Sequence, residues 1–317
     1  MTDTTLGLLL ATGALLFFTA GTLVTQAASR RLDLSLGFLV ATFVNVLFAG
    51  LVLCVQWLLR AQGTVWNATA FAMFALAGFF ATDLGRWFFY ESVVRFGPAK
   101  ASVFQVSSPL FTALIAWLLL GEALSPVVAA GMLLTVAGLV LVSVKPGAAR
   151  AAKAAAASSG ADNAPRPSHR TRLLQSVLFL GLCSSLAYAA GNVLRGMGIR
   201  RWNEPVLGAL VGAVCGLLLH LLFSSGKRLL WQRLCAANPT GIAFFAVMGV
   251  TTISAQMCTI AAMRYIPLSV ATLITLCTPL LVFPLSHWLG QNKDPITART
   301  LLGCGLTLGG IFVIVLR

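Results

Sequence analysis

Charge is scarce in this chain. Asp, Glu, Lys and Arg make up 9% of its 317 residues, and only 8 of them are acidic. Soluble domains carry about 25% charged residues. So few charges cannot cover a water-facing surface, so lipid must be the solvent for most of the chain. The seven cysteines are odd in number and irregularly spaced, with no CxxC. No disulfide framework or zinc site follows from them. The three histidines stand apart, so no metal is expected. No P-loop, GxSxG, HExxH or Asp-rich pair is present. Direct ATP use and the familiar hydrolase chemistries are thereby excluded, and no cofactor is expected. The net charge of +14 comes without a basic stripe interleaved with aromatics. It reads as charge on membrane loops rather than as a nucleic-acid surface. The first apolar run has no basic stretch before it and no convincing cleavage site, so it is read as a retained span.

Hydrophobic residues are plentiful: 58% of the chain, with a mean hydropathy of +0.91. They fall in ten runs, near 4–27, 33–59, 69–92, 97–120, 125–144, 172–198, 203–224, 240–263, 267–290 and 296–316. Each is long enough to cross a bilayer, which takes about 20 residues of helix. Backbone in hydrocarbon must satisfy its own hydrogen bonds, so these runs are expected to be helices. Segment 145–171, rich in Ala, Pro, Gly, Ser and basic residues, divides the runs five and five and reads as a flexible linker. The halves on either side, 1–144 and 172–317, resemble each other. Residues 20–31 match 190–201, aligning Gly21 with Gly191 and Arg30-Arg31 with Arg200-Arg201, and residues 95–110 resemble 264–280. Five spans per repeat is odd, so the second repeat enters from the opposite side. The expected fold is therefore all-α: ten transmembrane helices in two inverted five-helix repeats.

The stretch 97–122, with Gly97-Pro98, Ser108-Pro109 and Gly121-Glu122, resembles the EamA domain of the drug/metabolite transporter superfamily. The second half departs from the pattern, with Gly290-Gln291 in place of Gly-Glu and a loop lengthened by Asn292-Lys293-Asp294. The resemblance implies a multi-pass inner-membrane transporter of small metabolites, often an exporter of amino acids, amines or similar compounds. It also implies cytoplasmic termini. Loop charge points the other way: most Lys and Arg lie in odd-numbered connections, including the linker, which the positive-inside rule places in the cytoplasm.

Polar residues inside apolar runs are the candidate site. Asp83 and Arg86 are three apart in the third span and can pair on one helical face. Buried charge in a bilayer is expensive, so they either meet substrate or a proton, or form an ion pair that fixes the span. Glu91, with Arg95 in reach, is read as an interface pair, with a coupling role as its alternative. Gln105 and Ser108 in the fourth span, Tyr188, Asn192 and Arg195 in the sixth, Gln256 in the eighth, and Thr275 and Thr278 in the ninth are read as polar groups lining a cavity. Interhelical hydrogen bonding is the alternative. Pro98, Pro109, Pro267 and Pro279 are read as gating kinks. Asn45 is read as structural. Gly208, Gly212 and Gly216, and Gly305 with Gly309, are read as close packing, within the chain or between copies. Trp57, Trp66, Trp202, Trp231 and Trp288 are read as interface anchors.

These readings converge on secondary transport of a small metabolite by alternating access, with a proton as the candidate coupling ion. The chain is expected as a monomer or homodimer among membrane lipid. The rival class is an intramembrane enzyme acting on a lipid-linked substrate, which needs an acid and a base converging in one cavity. A packing subunit with a dry core is the other rival.

Overall fold

The computed structural model describes residues 3–59, 66–105, 107–108, 111, 114–115, 126–143, 177–223, 232–266, 271, 274–275, 277–291 and 297–315. The linker, Pro109, Gly121-Glu122, Trp231 and Pro267 lie outside the described residues.

Among the described residues, all regular structure is helical. We label the helices α1 (Asp3–Ser29), α2 (Leu34–Leu59), α3 (Ala68–Phe96), α4 (Pro98–Gln105), α5 (Pro126–Ser143), α6 (Val177–Arg201), α7 (Pro205–Phe223), α8 (Pro239–Tyr265), α9 (Thr278–Trp288) and α10 (Ala298–Val315). Among them α1, α2, α3, α7 and α8 are long and apolar enough to cross a membrane. Shorter apolar helix, such as Ala129–Gly138 within α5, adds to these five. Leu9, Leu16, Leu51 and Leu58 point outward, as a lipid-solvated surface allows.

The packing repeats itself across the two halves. Helix α1 lies along α8, as α6 lies along α3; α2 crosses α8, as α7 crosses α3. Helix α2 meets α7, α4 meets α9, and α5 meets α10. Gly21 on α1 faces Thr251 and Thr252 on α8, and its sequence counterpart Gly191 on α6 faces Ala81 on α3. Both pairs run antiparallel: Gly7 lies at Tyr265 and Ile266 while Gly21 lies at Thr251, and Gly198 lies at Phe74 while Gly191 lies at Ala81. The helix starts match as well. Asn67 caps α3 by accepting from Ala70 N at 2.9 Å, and Asn238 caps α8 by accepting from Thr240 N at 2.9 Å.

Two departures from the repeat matter for the site. Helix α3 has 29 residues and α8 has 27. Within α3 lies a π-helical stretch, Gly78–Gly85, whose turns are wider than those of an α-helix. The chain then breaks at Gly97, whose φ of 92° is open to glycine and strained for other residues. Pro98 follows as the first residue of α4, and Pro279 lies in the first turn of α9. A missing N–H costs nothing at a helix start. Both prolines read as kinks therefore stand at helix starts, Pro98 after the break at Gly97 and Pro279 after the turn at Cys277. Pro284 is the proline inside α9.

Glycine packing is also redistributed. Gly208, Gly212 and Gly216 bring α7 against Phe74, Gly78 and Thr82 of α3, so this stripe packs within the chain. Gly305 faces open space. The α5–α10 seam instead uses Gly131, Thr135 and Gly138 against Gly303, Thr307 and Gly310. The two triplets share one spacing and pair reciprocally. In each, the threonine hydroxyl donates to the carbonyl four residues back, at 2.8 Å. Trp202 is likewise corrected. It is buried against Phe74, Ile199 and Ile260, while Trp57, Trp66 and Trp288 are exposed.

Candidate functional site

The middle of the bundle holds a partly enclosed cavity of about 770 Å³, counting its open mouth. Phe18 and Thr22 reach it from α1, Phe89 from α3, Ser102 and Gln105 from α4, and Ser108 from just beyond α4. From the second half come Tyr188, Asn192 and Arg195 on α6, Gln256 and Thr259 on α8, Thr278 on α9, and Thr275 just before α9. The structure thus brings Gln105, Ser108, Tyr188, Asn192, Arg195, Gln256, Thr275 and Thr278 together around one space. An adjoining void of about 280 Å³ shares Phe18, Thr22, Phe89, Tyr188 and Gln256 with it. Gly21, Arg86, Tyr90 and Thr252 complete its wall.

Helix spacing explains the α6 contribution. Tyr188, Asn192 and Arg195 follow at intervals of four and three, one face of an α-helix. Arg195 is 5% exposed. Its Nη2 donates to Gln256 Oε1 at 2.9 Å and to Thr82 Oγ1 at 3.2 Å, and its Nη1 to Asn192 Oδ1 at 3.3 Å. All three acceptors are neutral. On the α4 side, Ser184 Oγ donates to Gln105 Oε1 at 3.0 Å and to the Gly85 carbonyl at 2.9 Å, which ties α6 to α4 and α3. Thr278 Oγ1 donates to the Thr275 carbonyl at 2.6 Å, holding the start of α9.

Arg86 and Asp83 do not pair. They flank the end of the π-helical stretch, where wider winding turns residues three apart onto different faces. Asp83 faces α7, with Oδ1 3.9 Å from His220 Nδ1. The His220 ring lies against Phe38, with centroids 4.7 Å apart. Arg86 turns inward and is 1% exposed. Its Nη1 meets the side-chain amide of Asn45 on α2. A guanidinium only donates, so the Asn45 oxygen faces Arg86 and its nitrogen donates to the carbonyls of Ala41 at 3.2 Å and Gly249 at 2.7 Å. Arg86 Nη2 and Tyr90 Oη, both buried, have no hydrogen-bond partner among the described residues. Glu91 pairs with Arg95 one turn along α3, toward the interface.

The electrostatic result is two buried guanidinium groups held by neutral partners. Among the described residues, no ion pair forms on either. A charge at the centre of a membrane helix costs about 2.5–3.5 kcal/mol by insertion scales. Hydrogen bonds to side-chain amides and a hydroxyl offset part of that. Arg86 and Arg195 also lie near enough to repel each other. Among the described residues, no Asp or Glu lines either space.

Sequence reasoning did not single out Thr82, Tyr90, Phe89, Ser102, Ser184 or Thr259, and it gave Asn45 no part in holding Arg86. Ser184 and Thr259 carried a readable signal, as hydroxyls inside apolar runs. Tyr90 and Phe89 carried none, since an aromatic in a span packs equally well against a neighbour or lipid.

Apolar helices around a partly open cavity lined from both halves of the chain define a multi-pass helical membrane protein. The sequence pattern of the EamA-like transporter family matches residues 5–144 and again 175–316, and the chain belongs to that family. No curated protein matches its sequence. A solved protein crystal structure is similar over 98% of this chain and 94% of the other, at 18% identity and a TM-score of 0.49.

Proposed function

We propose that the protein is a secondary transporter that moves a small metabolite by alternating access, with the shared cavity as its substrate site. The observation that carries this reading is the composition of the cavity wall, where side chains of α1, α3 and α4 face side chains of α6, α8 and α9. The antiparallel pairing of α1 with α8 and of α6 with α3 supports two oppositely directed five-helix repeats. Rocking one repeat against the other would open such a cavity to each side in turn. We place it in the inner membrane of the cell, working in the export direction. Its substrates are amphipathic solutes such as amino acids or related compounds, because phenyl rings and hydroxyl or amide groups share the wall. No nucleotide-binding motif occurs, so an ion gradient supplies the energy. Asp83, beside His220, is the proposed proton-coupling group.

The intramembrane-enzyme alternative needs an acid and a base converging on the cavity. Among the described residues, the lining offers Arg195 and Tyr188 as its titratable groups and no carboxylate or histidine. Proteoliposome flux across a panel of amino acids, amines and organic acids tests the proposal. Accumulation of a panel member supports it. Absence of flux for every solute, together with a covalent product in lipid, overturns it in favour of the enzyme.

A further inference from the structure

Both buried cations of the site are held by neutral groups. Arg195 is satisfied by Gln256, Thr82 and Asn192. Arg86 is anchored through Nη1 by Asn45, and its Nη2 is left over. That nitrogen and the Tyr90 hydroxyl belong to side chains lining one small void beside the cavity, and neither makes a close, well-aligned hydrogen bond among the described residues, with Tyr188 near Arg86 and Thr252 near Tyr90 as looser neighbours. An unsatisfied donor on a fully buried guanidinium is costly, and pairing with an opposite charge relieves most of that cost. The nearest carboxylate on the same helix, Asp83, faces His220 instead. Among the described residues no carboxylate supplies the missing counter-charge, and a bound solute can.

We propose that the transported solute carries an oxyanion, carboxylate or phosphate, which binds between Arg86 and Arg195, with Tyr90 as an additional donor. This rests on the reading of the cavity as a substrate site. A guanidinium presents its N–H groups in a planar fork that matches two oxygens of one anion. The wall next to it sets the remainder of the molecule. Phe18 and Phe89 line both the void and the cavity, so an apolar or aromatic body lies against them. A simple amine is the wrong partner, because it would add a third positive charge where no carboxylate faces it. Arg195 is already hydrogen-bonded and contributes its charge across the cavity, whereas Arg86 and Tyr90 contribute donors still to be used.

The test uses four probes with one aromatic body and different headgroups: phenylacetate, phenyl phosphate, phenethylamine and benzyl alcohol. Thermal unfolding of the full chain in detergent reads binding, since a ligand raises apparent stability by mass action. The expected result is an upward Tm shift with phenylacetate or phenyl phosphate, and none with the amine or the alcohol. Which acid works separates carboxylate from phosphate recognition. Arg86→Gln and Arg195→Gln are expected to weaken that binding at least tenfold, and Tyr90→Phe by a smaller factor. Should an arginine variant fail to fold, Tyr90→Phe and Arg195→Lys still report on the site. An amine bound as tightly as the acid, or no shift with either acid, overturns the proposal. Flux in proteoliposomes separates its failure from that of the transporter reading. Transport of amine or alcohol without acid sinks the anion proposal alone. Acid binding without transport of any probe sinks the transporter reading and leaves the anion site standing.

Discussion

Arg195 Nη2 donates to Gln256 Oε1 across 2.9 Å, and that bond joins α6 to α8 at the cavity wall. It is the shortest of the three bonds holding this guanidinium. Replacing Gln256 by Leu leaves the charge with Thr82 and Asn192. Hydrogen bonds to charged groups contribute about 1.5–3 kcal/mol. Gln256→Leu is expected to lower stability by an amount in that range, read as a drop in Tm. An unchanged Tm would show that Arg195 finds a substitute acceptor.

Asn45 presents one oxygen to Arg86 and its nitrogen to two backbone carbonyls. Its bonds join α2, α3 and α8. Asn45→Ala removes the Arg86 acceptor and orphans the carbonyls together. The expected loss is about 2–4 kcal/mol, at the upper end for a buried hydrogen-bonded network. Chemical denaturation in mixed micelles measures it. Asn45→Asp supplies a negative charge to Arg86 but sets an acceptor oxygen against the Ala41 and Gly249 carbonyls, and is expected to lower stability and to weaken uptake of an anionic solute by the protein that folds.

Asp83 sits apart from the cavity lining, 3.9 Å from His220. Asp83→Asn is expected to abolish acceleration of flux by an imposed pH gradient while substrate counterflow continues. The same gradient response in the variant and the parent protein would reassign Asp83 to packing against α7.

The α5–α10 seam leaves no room for a side chain at Gly138 or Gly310. Overpacking a close contact costs about 1–3 kcal/mol, and more when backbone must move. Gly138→Val is expected to destabilise by at least that much. Gly305→Ala, in open space, is expected to stay within about 0.5 kcal/mol of the parent. Equal effects at the two positions would mean that the seam runs along the Gly305–Gly309 face after all.

Much of the site was readable because polar side chains inside apolar runs have few places to go. Gln105, Asn192, Arg195 and Gln256 each interrupt a hydrophobic stretch, and lipid rejects them. The divergence of Asp83 and Arg86 was not readable. Residues three apart share a face in an α-helix, and nothing in GFFATDLG announces wider winding. The roles of Pro98 and Pro279 depended on where the helices begin, which periodicity leaves undecided in runs that are apolar all round. The seam at Gly131, Thr135 and Gly138 is a small-residue pattern as visible as Gly305 and Gly309. Which of them faces a partner is a matter of helix rotation.

Composition and run length determined the solvent and the helical build, because the transfer of each side chain into lipid adds up residue by residue along the chain, and the matching of residues 20–31 with 190–201 determined the duplication. The tertiary structure decided which buried groups meet: Arg86 with Asn45, Arg195 with Gln256, Asp83 with His220. Those pairings depend on the rotation and register of one helix against another, and in α3 the π-helical winding of Gly78–Gly85 parts Asp83 from Arg86.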